Sequence, residues 1–334
     1  KRPQLVTHNI WMSAMDSEIK AVTPAVEVND LNFTYTGTYE SKSVLHGLNM
    51  NLAPGSRCLL IGANGAGKST LLRILGGKHL TQPDEAVKVL GKDSFRDMEL
   101  NMTRAYLDTN WGLRTVAFAG YGCPLQADIE VAGMMTKLQG EYPERRDMLL
   151  DLLGIDLEWR MHQVSDGQRR RVQLFLGLLR PFDILLLDEV TTALDVVVRQ
   201  DLLLWLQSET ETRGATIVYA THIFDGLDTW PTHIHYIHYS GRTAWQGSLE
   251  ENEHYQELRA LGHPSPMLKV AERWLRTEIA EQRANKTHGR KETACGAGAY
   301  QTGVQTGTGT QSEGAAPFLN AGGFAPGRMH THYA

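Results

Sequence analysis

The chain has 334 residues, 42% hydrophobic and 21% charged, the balance of a globular protein that buries a core of its own. Its 33 basic and 38 acidic residues give a net charge of −5, which argues against a general electrostatic grip on nucleic acid or an anionic membrane. Three scattered cysteines, Cys58, Cys123 and Cys295, exclude a disulfide framework and a CxxC metal motif. No run of eighteen apolar residues is available to insert in a bilayer.

In chain order, residues 1–24 read as a flexible N-terminal extension. The first residue is Lys1, and Met12 and Met15 are both candidate initiators. The segment has no apolar targeting core, and its acids Asp16 and Glu18 do not fit a transit peptide; a cytoplasmic protein is expected, with the nucleus left open. Residues 25–250 read as one α/β domain. Ala25–Tyr35 alternates apolar and polar residues as a half-buried strand does, Ser56–Ile61 is a short apolar strand, and Lys68–Leu75 is a helix stopped by Gly76 and Gly77. Residues from about 115 to 182 are mostly helical in pattern and form an inserted lobe. Ile184–Leu187 and Ala215–Ala220 read as buried strands around an amphipathic helix, Val196–Thr212, whose apolar side holds Leu202, Leu203, Trp205 and Leu206. Such strand–helix alternation predicts a largely parallel sheet. A helical extension follows over 251–284, with a helix at roughly Pro266–Arg283. Residues 285–334 hold ten of the 32 glycines and too little apolar surface to offset chain entropy, so this tail is expected to be disordered.

Chemistry concentrates first at Gly62-Ala63-Asn64-Gly65-Ala66-Gly67-Lys68-Ser69, the phosphate-binding P-loop pattern, with an apolar strand before it and a helix after it. Its glycines let successive backbone N–H groups converge on a phosphate at a helix N-terminus. Lys68 would bridge the β and γ phosphates of ATP, the Ser69 hydroxyl would take a place on Mg²⁺, and Thr70 extends the phosphate-binding set. Further on, four apolar residues run into Asp188 and Glu189. A buried strand ending in Asp188 can hold Mg²⁺ beside the phosphates, and Glu189 is placed to polarise the attacking water.

Between these motifs lies Val164-Ser165-Asp166-Gly167-Gln168, with Ser165 23 residues before Asp188. This segment resembles the signature of ABC ATPases, usually LSGGQ. Thr191-Thr192-Ala193-Leu194-Asp195 resembles the family's D-loop and Thr221-His222 its switch histidine. Tyr35 resembles the aromatic that stacks on adenine. The resemblance covers roughly Val26–Tyr255. It implies a P-loop NTPase fold of the ABC type: a RecA-like core, an antiparallel β-subdomain and the inserted helical lobe. It also implies ATP hydrolysis with Lys68, Glu189 and His222 as catalytic residues. Ser165, Gly167, Gln168 and Asp195 would act on ATP held by a second subunit, in a homodimer or in a heterodimer with another ABC ATPase.

Three departures from the family pattern stand out. Asp166 replaces the first signature glycine and Val190 replaces a proline. The strand entering the helical lobe, Ala105-Tyr106-Leu107-Asp108-Thr109-Asn110-Trp111, lacks the Q-loop glutamine. Thr109 fills that position as an Mg²⁺ ligand, since Gln126 comes too late. With these departures the chain resembles a soluble eukaryotic subfamily that includes a fungal ATPase associated with the Ccr4–Not mRNA-regulation complex and the plant and algal "I" group. That resemblance implies a regulatory ATPase with a protein-complex partner. The alternatives are an ATP-binding subunit for separately encoded membrane domains, or a nucleotide-binding scaffold. His233, His235 and His238 alternate with apolar residues and read as a strand at the sheet edge rather than a metal cluster. Arg169–Arg171 read as a solvated helix start, and Trp159 and Trp205 as packing residues.

Overall fold

The computed structural model describes residues 23–36, 41–109 and 128–295, with side chains as far as residue 285. The expectations for residues 1–22, Gln126 and the chain beyond 295 fall outside these residues. The chain divides into two units, Lys1–Ala284 and Asn285–Ala334. The first unit opens with strands β1 (Val26–Thr36), β2 (Ser41–Leu52) and β3 (Arg57–Gly62), then helix α1 (Lys68–Leu75). Strands β4 (Val87–Val89) and β5 (Lys92–Asp93), a single turn α2 (Leu100–Thr103) and strand β6 (Arg104–Leu107) follow. The described part of the helical lobe contains α3 (Thr136–Glu141), α4 (Pro143–Leu153) and α5 (Asp166–Leu178). The chain then returns through β7 (Ile184–Asp188), α6 (Val196–Arg213), β8 (Thr216–Ala220), β9 (His233–Ile237) and β10 (Thr243–Ser248). Helices α7 (Glu253–Ala260) and α8 (Pro266–Cys295) close the described chain.

Two sheets result. Strands β2-β1-β4-β5 form an antiparallel four-stranded sheet, and β10-β9-β3-β8-β7-β6 form a six-stranded sheet in which only β10 runs antiparallel. Period-two alternation sorts the side chains of the larger sheet onto two cores. Cys58, Leu60, Leu186 and Val218 face the antiparallel sheet and α1. Leu59, Ile61, Leu187 and Tyr219 face the opposite core, with α4, α5, α6 and α8. A parallel sheet covered on both faces reads as uninterrupted apolar runs, as β7 and β8 do.

Local chemistry sets the helix limits. The Asp195 carboxylate accepts from the Val198 amide (3.0 Å) and starts α6, and Gly214, with φ +69°, ends it. Arg145 of α4 fastens the lobe to α6. Its guanidinium donates two bonds to the Glu209 carboxylate (3.0 and 2.9 Å) and one to the Leu178 carbonyl (2.8 Å). Arg213 adds a second cation on Glu209 (2.7 Å).

Two expectations need correction. Strand β9 lies inside the sheet, between β3 and β10, so His233 and His235 do not sit on an edge strand. The pleat also sends His238 to the opposite side from those two, and no metal-binding cluster occurs among the described residues. Helix α8 runs to Cys295 rather than ending near Arg283. Residues 281–291 supply Glu, Gln, Arg, Ala and Lys with no proline and only Gly289 as a break, so nothing local terminates the helix.

His235 is 1% exposed. Its Nε2 lies 3.4 Å from the Thr243 hydroxyl, its Nδ1 has no hydrogen-bond partner among the described residues, and burial pulls its pKa down to about 4. Between pH 6.5 and 4 the unfolded chain therefore takes up a proton that the folded chain refuses, and acid favours unfolding. From pH 8 to pH 5 this residue should cost about 2 kcal/mol of stability. Urea unfolding at both values should show His235→Gln losing correspondingly less than the native sequence.

Candidate active site

The site grows from the carboxyl ends of β3 and β7. Gly62 closes β3 with its Cα pressed on the Ile237 carbonyl of β9, where a Cβ would stand 2.6 Å from that oxygen. The loop then turns through Gly65 (φ +85°) and Gly67 (φ +106°) before α1 begins, conformations that L side chains rarely adopt. At Gly67 a Cβ would also meet Leu45 Cδ2 of β2 at 2.5 Å. The loop is thus fixed by backbone conformation and by the antiparallel sheet.

Lys68 is 8% exposed and its Nζ donates to the carbonyls of Gly62 (2.7 Å) and Ala63 (3.2 Å). Burial lowers its pKa, opposed by the charges of Glu189 and Asp188. The Ser69 hydroxyl donates to Asp188 Oδ1 at 3.0 Å. Burial raises the pKa of that carboxyl, and the Ser69 bond opposes the rise. These are hard oxygen donors side by side, the chemistry that suits Mg²⁺.

Above the loop opens a cavity of about 300 Å³ whose walls include Tyr35, Lys42, Asn64, Lys68, Arg73 and Glu189. The Tyr35 hydroxyl lies 3.2 Å from Thr70 Oγ1 and 3.5 Å from His79 Nε2, which ties β1 to α1. Glu189 follows β7 with φ +55°, a strained value for a side chain of its size. Its amide donates to the Ala220 carbonyl at 3.0 Å, which holds the turn and presents its carboxylate 3.6 Å from His222 Nδ1. Lys42 and Arg73 are cavity residues that sequence motifs did not mark; they come from β2 and the last turn of α1.

A second constellation forms at the start of α5. Ser165 caps the helix: its Oγ accepts from the Gln168 amide at 3.3 Å, and the Gln168 side chain accepts from the Ser165 amide at 2.9 Å. Gly167 lies against the Ala193 carbonyl, where a Cβ would stand at 3.3 Å. Arg171 reaches Asp195 at 2.5 Å. Ser165, Gly167, Gln168, Asp195, His222 and Thr109 all lie outside the cavity lining. Asp166 is exposed and pairs with Arg169 at 3.1 Å.

The arginines are not a solvated helix start. Arg170 donates to the carbonyls of Asp108 (2.9 Å) and Thr109 (3.2 Å), and Gln173 also donates to the Asp108 carbonyl (2.7 Å). Helix α5 thus clamps the backbone where β6 leaves the sheet. The sequence marks Arg170 only as part of a helix start and does not mark Gln173, because the partners of both stand more than sixty residues away.

Comparison with known proteins agrees with this geometry. The ABC transporter family profile matches residues 45–192. The chain is similar to "ABC transporter I family member 20" of Arabidopsis thaliana, 42% identical over 96% of this chain and 95% of the relative. It is 45% identical to I family member 21 of that plant, over 81% and 93%. "CCR4-associated factor 16" of Saccharomyces cerevisiae is 39% identical over 70% of this chain and 80% of that protein. Among solved structures, an ATP-binding cassette captured as a dimer with ADP and Pi matches in fold with a TM-score of 0.55. It is 22% identical, over 67% of this chain and 98% of its own. Among the described residues no helix is long and apolar enough to cross a membrane. The chain belongs to the ABC ATPase family, as an ATP-binding and ATP-hydrolysing cassette.

Proposed function

We propose that the protein is a regulatory ATPase that hydrolyses ATP between two subunits. One observation supports this reading: Ser165 and Gln168 cap each other at the start of α5, Gly167 lies against Ala193, and none of the three lines the cavity above the phosphate loop. Tyr35 stacks on adenine, and the loop amides of residues 63–67, with Lys68, Ser69 and Thr70, bind the phosphates. Ser69 and Asp188 would hold Mg²⁺, which would supply neutralisation of the phosphate charge. Glu189 takes the proton of the attacking water, and His222 beside it steadies that geometry. Ser165 and the Gly167 amide, at the N-terminus of α5, close on the γ-phosphate of the opposite subunit, with Asp195 alongside.

The regulatory reading is supported by the clamp of Arg170 and Gln173 on the backbone of Asp108 and Thr109. It occupies the point where a transporter cassette carries a glutamine that answers to membrane domains. The similarity to a protein named CCR4-associated factor 16 supports a link to mRNA or transcription control. The I family relatives are named as ABC transporters, which keeps a transporter subunit as the second reading. Capture of the ATP-trapped protein from native extract separates the two, since membrane subunits among the captured proteins would overturn the first.

Lys68→Ala should weaken ATP binding at least tenfold, about 1.4 kcal/mol, in a fluorescence titration; a smaller loss contradicts the P-loop assignment. Glu189→Gln should cut hydrolysis about 10²-fold or more while ATP still binds. At roughly 10⁻⁵ M protein this variant should elute from a sizing column as a dimer with ATP and as a monomer with ADP. Adding Ser165→Arg should return it to monomer. A Glu189→Gln protein that stays monomeric with ATP rules out the homodimer.

A further inference from the structure

Glu278 of α8 is a buried carboxylate that the chemistry above does not use. It is 2% exposed. Its Oε1 accepts from the Tyr236 hydroxyl (2.5 Å) and the Tyr239 amide (3.3 Å), while Oε2 has no hydrogen-bond partner among the described residues. A half-satisfied buried carboxylate is costly to keep. The helix is held in place around it. Trp274 stacks on Tyr236 with ring centroids 4.6 Å apart and planes within 7°, and Glu281 reaches His238 Nε2 at 3.1 Å.

Tyr236 and Tyr239 bracket Ile237, and Ile237 pairs with Gly62 in the β3–β9 register. The Ile237 carbonyl is the atom against which the Gly62 Cα is pressed, and the Gly62 carbonyl is the nearer acceptor of Lys68 Nζ. A short path therefore runs from α8 through the end of β9 to the first residue of the phosphate loop and its lysine.

We propose that Glu278 is a positioning residue for the nucleotide site: by clamping Tyr236 and Tyr239 it fixes the Ile237 carbonyl that backs Gly62, and so sets where Lys68 stands. The helix that follows the cassette thus tunes how well the phosphate loop receives ATP. Because Glu278 touches the loop only through the strand end, its loss acts on binding rather than on the chemical step. The proposal rests on the P-loop as the ATP site, which Lys68→Ala tests separately in the same series.

The experiment uses the full chain, with mant-ATP titration for Kd, phosphate release for kcat and KM, and thermal unfolding as a check of folding. Glu278→Ala should raise the mant-ATP Kd and the ATP KM about fivefold or more, with kcat at saturation within about twofold of native. Glu278→Gln keeps an acceptor for Tyr236 and Tyr239 and should restore both constants to within about twofold. Tyr236→Phe keeps the stack on Trp274 but removes the hydroxyl, and should raise Kd in the same direction by less. An unchanged Kd in folded Glu278→Ala overturns the proposal. So do equal losses in the Ala and Gln variants, or a fall in kcat with Kd intact. If Glu278→Ala does not fold, an unchanged Kd in Tyr236→Phe overturns it instead. Native-like binding in Lys68→Ala would sink the site assignment itself, whereas loss there with none in Glu278→Ala sinks only the role of α8.

Discussion

The register of three parallel strands governs everything built at the active site. Leu60 of β3 and Asp188 of β7 both pair with Ala220 of β8, so the three strands leave the sheet at nearly one level. Lys68 with Ser69 at the start of α1, Glu189 after β7 and His222 after β8 are therefore carried side by side. Because the side-chain period is two, a slip of one residue in β7 would turn Asp188 into the other core and bring Leu187 to Ser69. The 3.0 Å bond between Ser69 and Asp188 exists only in the observed register. Backbone strain at Glu189 is held by its amide bond to Ala220, a partner fixed by that same alignment.

Much of this was legible along the chain wherever punctuation is local. Helix α1 begins and ends as expected because Gly67 and the Gly76-Gly77 pair bound it, and α6 because Asp195 caps it and Gly214 stops it. Strand β7 could be read from four apolar residues running into two acids. The inner position of β9 could not, because its companion β10 exposes much of itself and carries little apolar signal. Nor could the grip of Arg170 on Asp108, or of Glu278 on Tyr236. They join side chains to partners 62 and 42 residues away, and only the tertiary arrangement decides such pairings. The site shows the same division: its motif residues announce themselves, whereas Lys42, Arg73 and the groups that brace the loop carry no local pattern.

The family resemblance and the geometry constrain different things. The matched profile and the relatives establish the nucleotide chemistry. Departures from the family pattern, by contrast, have structural consequences particular to this chain. Asp166 brings an acid to the signature and turns it outward onto Arg169. The missing glutamine leaves a strand end whose carbonyls are taken by α5. The first signature glycine can become aspartate because its side chain points to solvent, whereas Gly167 has no such room beside the Ala193 carbonyl.

The lobe's polar attachments also have a kinematic meaning. Arg145 fixes α4 to Glu209 on α6, and Arg170 with Gln173 fixes α5 to the end of β6. Arg171 of α5 adds a third attachment, to Asp195 at the start of α6 (2.5 Å). A rigid body pinned at two points keeps one rotation, about the line through the pins, and a third pin off that line removes it. The Arg171–Asp195 pair is more exposed than Arg145–Glu209, and once it opens the lobe swings about the line that joins the other two. The signature caps the helix that carries this third pin, so its excursion is then an arc whose radius is its distance from that line.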